Sequence, residues 1–195
     1  YKKDVFKFLL KHFNLKHEII FNDVSGQLDQ EILEIVQSEN VRYIYCHSLV
    51  SNRDQTSFHM DNLLENNKLL ADIYAKFTFA KESFLKKNIE DKLILDPCFG
   101  FSKKSDQNFL IIDELEKFLE KFELPFLVGV SRKSFLRKKI QSQVQKVLSR
   151  EELNVATDQM LCRMISVWLK KFSTYEIIYR VHSPFLPIST GNECI

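Results

Sequence analysis

Short apolar runs alternate along the chain with longer amphipathic segments. Five runs read as strands: Glu18–Phe21, Tyr43–Cys46, Leu93–Leu95, Phe126–Val130 and Tyr175–Val181. They are rich in Ile, Leu, Val, Phe and Tyr, as strands covered on both faces are. Between them the period becomes helical. Leu28, Ile32, Ile35 and Val36 fall on one stripe, and Leu70, Ile73, Tyr74 and Phe77 on another. Ile111, Leu115, Phe118, Leu119 and Phe122 form a third, and Leu161, Met164, Ile165, Trp168 and Leu169 a fourth. Such stripes predict helices packed on a sheet, and the chain itself opens in a helical pattern.

Repeated β-α units predict a parallel sheet. An open dinucleotide-binding sheet would carry G-x-G-x-x-G after a strand, and none occurs. Polar residues instead follow every strand, as they do where a barrel gathers all its strand ends around one mouth. The predicted fold class is therefore α/β, a (β/α)8 TIM barrel. Five units in 195 residues are too few to close it, since a full barrel takes about 250 residues. The expectation is an incomplete barrel over residues 1–185, with the missing strands preceding Tyr1, and an irregular tail over 186–195.

Composition adds limits. Apolar residues make up 45% and charged residues 28%, with a formal net charge of +2. That charge is too small to argue for nucleic acid. No apolar run approaches the roughly 18 residues of a membrane span, and no signal-peptide pattern opens the chain. Cys46, Cys98, Cys162 and Cys194 form no CxxC pair and no zinc-finger spacing. They read as buried reduced thiols, which fits a cytoplasmic protein.

The strand ends carry the chemistry. Asn22-Asp23 ends the first; Asn22 offers a donor and an acceptor to a heterocycle edge, and the pair equally suits turn and capping chemistry with Ser25-Gly26. Cys46-His47 ends the second, and a lone histidine there is more often structural. Asp96-Pro97 ends the third, and Asp96 could accept two parallel hydrogen bonds from an amino-heterocycle. Phe99-Gly100-Phe101 could supply a stacking wall. Ser131-Arg132-Lys133-Ser134 follows the fourth; Lys133 suits a phosphate, a ring carbonyl or a Schiff base, while Lys138 and Lys139 read as solvated. Arg180 and His182 share one face of the last strand and suit a phosphate.

Taken together, these segments resemble bacterial dihydropteroate synthase. The resemblance rests on Ile20-Phe21-Asn22-Asp23, Cys46-His47, Asp96-Pro97-Cys98-Phe99-Gly100-Phe101-Ser102-Lys103, Gly129-Val130-Ser131-Arg132-Lys133-Ser134 and Arg180-Val181-His182, in family order. It implies a transferase of folate biosynthesis, a sulfonamide target, that joins p-aminobenzoate to 6-hydroxymethyl-7,8-dihydropterin pyrophosphate. Dihydropteroate and pyrophosphate are the products. By carry-over, Asn22, Cys46, Asp96, Phe101, Gly129 and Lys133 hold the pterin. Asn22, Arg180 and His182 bind the pyrophosphate. Ser131 and Lys133 face the p-aminobenzoate, and Lys133, Arg180 and His182 are the catalytic set. The resemblance also implies Mg2+, with its protein ligand upstream of Tyr1 and none in this segment. Partners are then small molecules, not nucleic acid or membrane; a homodimer is left open.

Three departures bear on that reading. Cys98 and Ser102 stand where the family has glycines, so the loop after Asp96 is expected to avoid conformations that demand glycine. Ser183 stands in place of an Asp. The first three β-α units lie outside the chain, which is expected to be inactive alone, with an unstable barrel edge. Rival readings are a non-catalytic pterin-binding domain, a methyltetrahydrofolate methyltransferase and a Schiff-base aldolase using Lys133.

Overall fold

The computed structural model describes residues 3–12, 19–50 and 63–182. Helix α1 (Lys3–His12) precedes strand β1 (Ile19–Asp23), helix α2 (Gln30–Ser38) and strand β2 (Val41–Cys46). Helix α3 (Asn66–Leu85), a single 3-10 turn (Glu90–Lys92) and strand β3 (Leu93–Asp96) follow. Helix α4 (Ser105–Phe122), strand β4 (Phe126–Val128), helices α5 (Ser134–Ser142) and α6 (Arg150–Lys171) and strand β5 (Ile177–Tyr179) complete the order.

All five strands are parallel, in the order β1-β2-β3-β4-β5. A doubly wound open sheet reverses its order at a switch point, whereas a barrel runs in sequence. The sheet is a half-barrel of the (β/α)8 type. The five expected strands are all present, the last two shorter than their apolar runs: β4 ends at Val128 and β5 at Tyr179. Glu18, Ser183, Cys194 and the tail over 186–195 lie outside the described residues.

Alternation along each strand divides the core in two. Phe21, Tyr43, Tyr45, Leu93, Leu95, Phe126 and Val128 join the large core under the helices. There Phe77 on α3 meets Phe118, Phe122, Phe126 and Tyr45 with ring centroids 5.6–6.4 Å apart, distances suited to edge-on aromatic packing. Ile44, Ile94 and Leu127 point the other way, with Cys46 and Cys98, into a smaller cluster on the barrel's inner face.

Caps set the helix starts. Asp29 accepts a hydrogen bond from Ile32 N at 3.1 Å at the head of α2. Ser149 and Glu152 form a reciprocal capping box on α6. At the end of β1, Gly26 has φ +66°, and a Cβ there would lie 2.8 Å from the Cys46 carbonyl. Only glycine lets that turn lie against the end of β2.

Candidate functional site

The inner-face residue nearest the C-terminal end of each strand supplies the site. Asn22 is the last but one residue of β1, Cys46 ends β2 and Asp96 ends β3, and Gly129 and Arg180 follow β4 and β5. Cys46 pairs with Asp96 in the ladder. Cys46 Sγ lies 3.4 Å from Asn22 Oδ1 and 3.7 Å from Asp96 Oδ2. Contact with the Cys98 thiol and then burial push the Cys46 thiol well above its ordinary range.

Asp96 is wholly buried at the centre. Its Oδ1 accepts the Cys98 N–H at 2.7 Å. Its Oδ2 lies 3.6 Å from an Arg180 guanidinium nitrogen. Burial raises the Asp96 pKa against the opposing pull of Arg180, Lys103 and Lys133. Arg180 reaches this position by lying over Gly129, where a Cβ would come within 2.7 Å of its Nη2. Any side chain at 129 must displace the guanidinium.

Lys133 Nζ sits 4.8 Å from the centroid of the Phe101 ring, a cation–π distance. Burial lowers its pKa from the usual lysine range. Ser131 is buried; its Oγ accepts the His182 main-chain N–H at 3.1 Å and lies 3.0 Å from His182 Nδ1. This contact fixes the imidazole at the end of β5. The structure therefore brings Asn22, Cys46, Asp96, Gly129, Arg180, Lys133 and Phe101 to one mouth, with the Ser131–His182 pair beside them.

Two residues of the strand-end motifs turn out to be structural. Asp23 is buried and accepts from Ser25 N (3.0 Å), Ser25 Oγ (2.6 Å) and Tyr43 OH (2.8 Å). Asn22 thus faces the mouth while Asp23 builds the turn. His47 is fully buried, with Nε2 2.8 Å from Asp72 Oδ2. Because that carboxylate only accepts, Nε2 carries the proton. Burial, aided by nearby Lys103, lowers the His47 pKa to about 3, so the ring is neutral.

The loop after Asp96 departs from the expectation. Cys98 has φ +58° and Ser102 φ +54°, so both occupy the left-handed region that favours glycine. The loop keeps a glycine-type path and fills it with side chains, a strain of about 1–3 kcal/mol per residue. Tertiary contacts hold it there. Lys103 donates to the carbonyls of Cys98 (3.2 Å) and Phe101 (2.8 Å). Asn108 accepts from Gly100 N at 2.7 Å. Arg132 is also left-handed, at φ +53°, and binds Asp158 at 2.8 Å. Nothing local in the sequence marks Lys103, Asn108, Asp72 or Asp158 for these contacts. Three of them lie on helices with no local signal for the partner, and Lys103 carries no mark in its motif that it is buried.

Mg2+ prefers oxygen ligands. Among the described residues, the set of three metal-ligating side chains that converges is Cys46, Asp96 and Cys98. Two thiols and a carboxylate do not fit Mg2+.

Residues 2–167 match the pterin binding enzyme family. The chain belongs to that family. Similar solved structures include dihydropteroate synthase from Thermus thermophilus in complex with 6HMPPP, at 22% identity and a TM-score of 0.62, covering 84% of this chain and 58% of that one. The same enzyme in complex with 4-aminobenzoate gives 21% identity and a TM-score of 0.60, covering 84% of this chain and 60% of that one. Dihydropteroate synthase from Anaplasma phagocytophilum with bound 6-hydroxymethylpterin-monophosphate gives 20% and 0.63, covering 93% of this chain and 61% of that one. At these identities the likeness establishes the shared barrel fold, of which this pterin-family chain spans about three fifths of the relatives' length. No curated protein matches the chain by sequence. No described helix is long and apolar enough to cross a membrane.

Proposed function

We propose that this chain forms the pterin-binding half of a dihydropteroate synthase. The observation that carries the reading is Asp96: a fully buried carboxylate at a strand end, anchored through Oδ1 and facing Arg180 through Oδ2. A buried acceptor of this kind suits the paired N–H groups of a 2-amino-4-oxo heterocycle. Arg180 is 41% exposed and 3.6 Å from its partner, loose enough to be taken over by a phosphate group. A ligand with an N–H pair at one end and a diphosphate at the other would satisfy both members of the ion pair.

The same reading assigns the residue roles. Asn22, Cys46 and Asp96 border the pterin edge, Phe101 and Lys133 cover its face, and Gly129 makes room for Arg180. Arg180 and His182 hold the diphosphate. Lys133, with Ser131 beside it, faces the aminobenzoate. The aniline nitrogen attacks the methylene carbon and releases one proton to solvent. The C–O bond to the diphosphate breaks, and pyrophosphate leaves with the electron pair. Arg180 and His182 stabilise the negative charge on that leaving group.

The test is dihydropteroate formation from both substrates by the intact protein, with direct titration of the pterin substrate in parallel. Wild type is expected to bind and turn over, and Asp96→Ala and Lys133→Ala to lose product. A folded wild type that fails to bind the pterin refutes the reading. Binding without turnover replaces it with a non-catalytic pterin-binding domain, a reading that strain at Cys98 and Ser102 favours.

A further inference from the structure

Two of the described cysteines, Cys46 and Cys98, meet at the strand ends, while Cys162 is buried on α6. A pair of buried thiols alone is ordinary packing. This pair is different because a carboxylate converges with it: Cys46 Sγ, Cys98 Sγ and an Asp96 oxygen all lie within 4.8 Å of one another. Cys46 and Asp96 are partners in the β2–β3 ladder, which fixes their spacing, and Cys98 stands in the turn two residues beyond Asp96.

We propose that Cys46, Cys98 and Asp96 form a binding site for a thiophilic divalent cation, with Zn2+ as the fitting ion. Zinc takes thiolate at about 2.3 Å and carboxylate oxygen at about 2.0–2.2 Å in a tetrahedron, which places neighbouring S and O ligands about 3.6 Å apart. Cys46 Sγ and Asp96 Oδ2 are 3.7 Å apart. The other carboxylate oxygen is held by the Cys98 N–H at 2.7 Å, the kind of outer hydrogen bond that orients a metal ligand. Asn22 Oδ1, 3.4 Å from Cys46 Sγ, borders the remaining coordination position.

Two thiolates and a carboxylate carry three negative charges, and Zn2+ leaves one. Arg180, 3.6 Å from Asp96, faces the same groups with Lys103 and Lys133, so the sulfur donors and not net charge single out the ion. Soft sulfur ligands select Zn2+ over Mg2+ or Ca2+. Metal binding does not rest on the pterin reading. If both hold, the ion and the pterin compete for Asp96, and the cation inhibits.

The test titrates the intact, phosphine-reduced protein with Co2+ as a coloured stand-in for Zn2+. One equivalent is expected to produce thiolate-to-cobalt charge-transfer absorption, which one equivalent of Zn2+ removes and excess Mg2+ leaves in place. Cys46→Ser and Cys98→Ser should each weaken Co2+ binding at least ten-fold, and Asp96→Asn should weaken it while keeping the thiolate band. Cys162→Ser and Cys194→Ser should leave the band unchanged. Circular dichroism checks that each variant is folded, and the wild-type spectrum carries the test if one is not. Absence of the band, its survival in both Cys46→Ser and Cys98→Ser, or its displacement by Mg2+ overturns the proposal.

Discussion

Gly129→Ala isolates the role of Arg180. The backbone of Gly129 is not left-handed, so alanine is tolerated by the main chain. The new Cβ would stand 2.7 Å from Arg180 Nη2 and 3.0 Å from Nε, well inside normal contact. The flexible guanidinium must retreat by about 1 Å to restore a carbon–nitrogen separation near 3.5–4.0 Å. That takes its contact with Asp96 from 3.6 Å to roughly 4.6 Å. At an effective dielectric of about 20 the retreat weakens the attraction for a unit charge held at the original position by about 1 kcal/mol. Arg180 is 41% exposed, so solvent screening makes this an upper figure. The expected result is a loss of up to about five-fold in affinity for the pterin diphosphate ester, with the hydroxymethylpterin alcohol binding as before. Isothermal titration with the two ligands measures the difference. Equal losses for both ligands, or no loss for the diphosphate, would refute the placement of Arg180 as the diphosphate contact.

Other predictions concern stability. The folded His47 pKa, about 3, lies below its ordinary value of 6.5, so the unfolded chain binds the proton first as pH falls. Its contribution is present above about pH 6.5 and drains away towards pH 3, at up to about 1.4 kcal/mol per pH unit. Melting temperatures between pH 7 and 5 should fall more steeply for wild type than for His47→Asn. Phe77→Ala removes a ring from the centre of the large core and should cost about 3–5 kcal/mol in denaturant unfolding. Tyr43→Phe deletes a side-chain donor to buried Asp23 and should cost about 1–2 kcal/mol by the same measurement.

The order of elements and the class of fold were legible in the chain. Both-face-apolar runs and helical stripes need only local periodicity to be read, and each expected strand exists. The strand-end motifs were equally legible as a set, because a sequentially ordered parallel sheet brings every strand end to one side. What local pattern could not resolve was which member of each motif faces the mouth. Asn22 and Asp23 are neighbours on one strand and therefore point to opposite faces; the register with β2 gives Asn22 to the site and Asp23 to Tyr43 and Ser25. His47 lies one residue beyond Cys46 and is turned away to Asp72 on α3.

The loop after Asp96 marks the limit most sharply. Intrinsic preference argued that Cys98 and Ser102 would avoid the left-handed region, and both are in it. Lys103 and Asn108, pinning the loop from within and from α4, supply the interactions that override the local cost. The half-barrel and the chemical types at its mouth were readable from the chain alone, because periodicity and strand-end position are local properties. The convergence of Cys46, Cys98 and Asp96, the seating of Arg180 on Gly129 and the strained path of the loop emerge in the folded molecule. Those depend on register between strands and on contacts between residues far apart in the chain, where no local signal reaches.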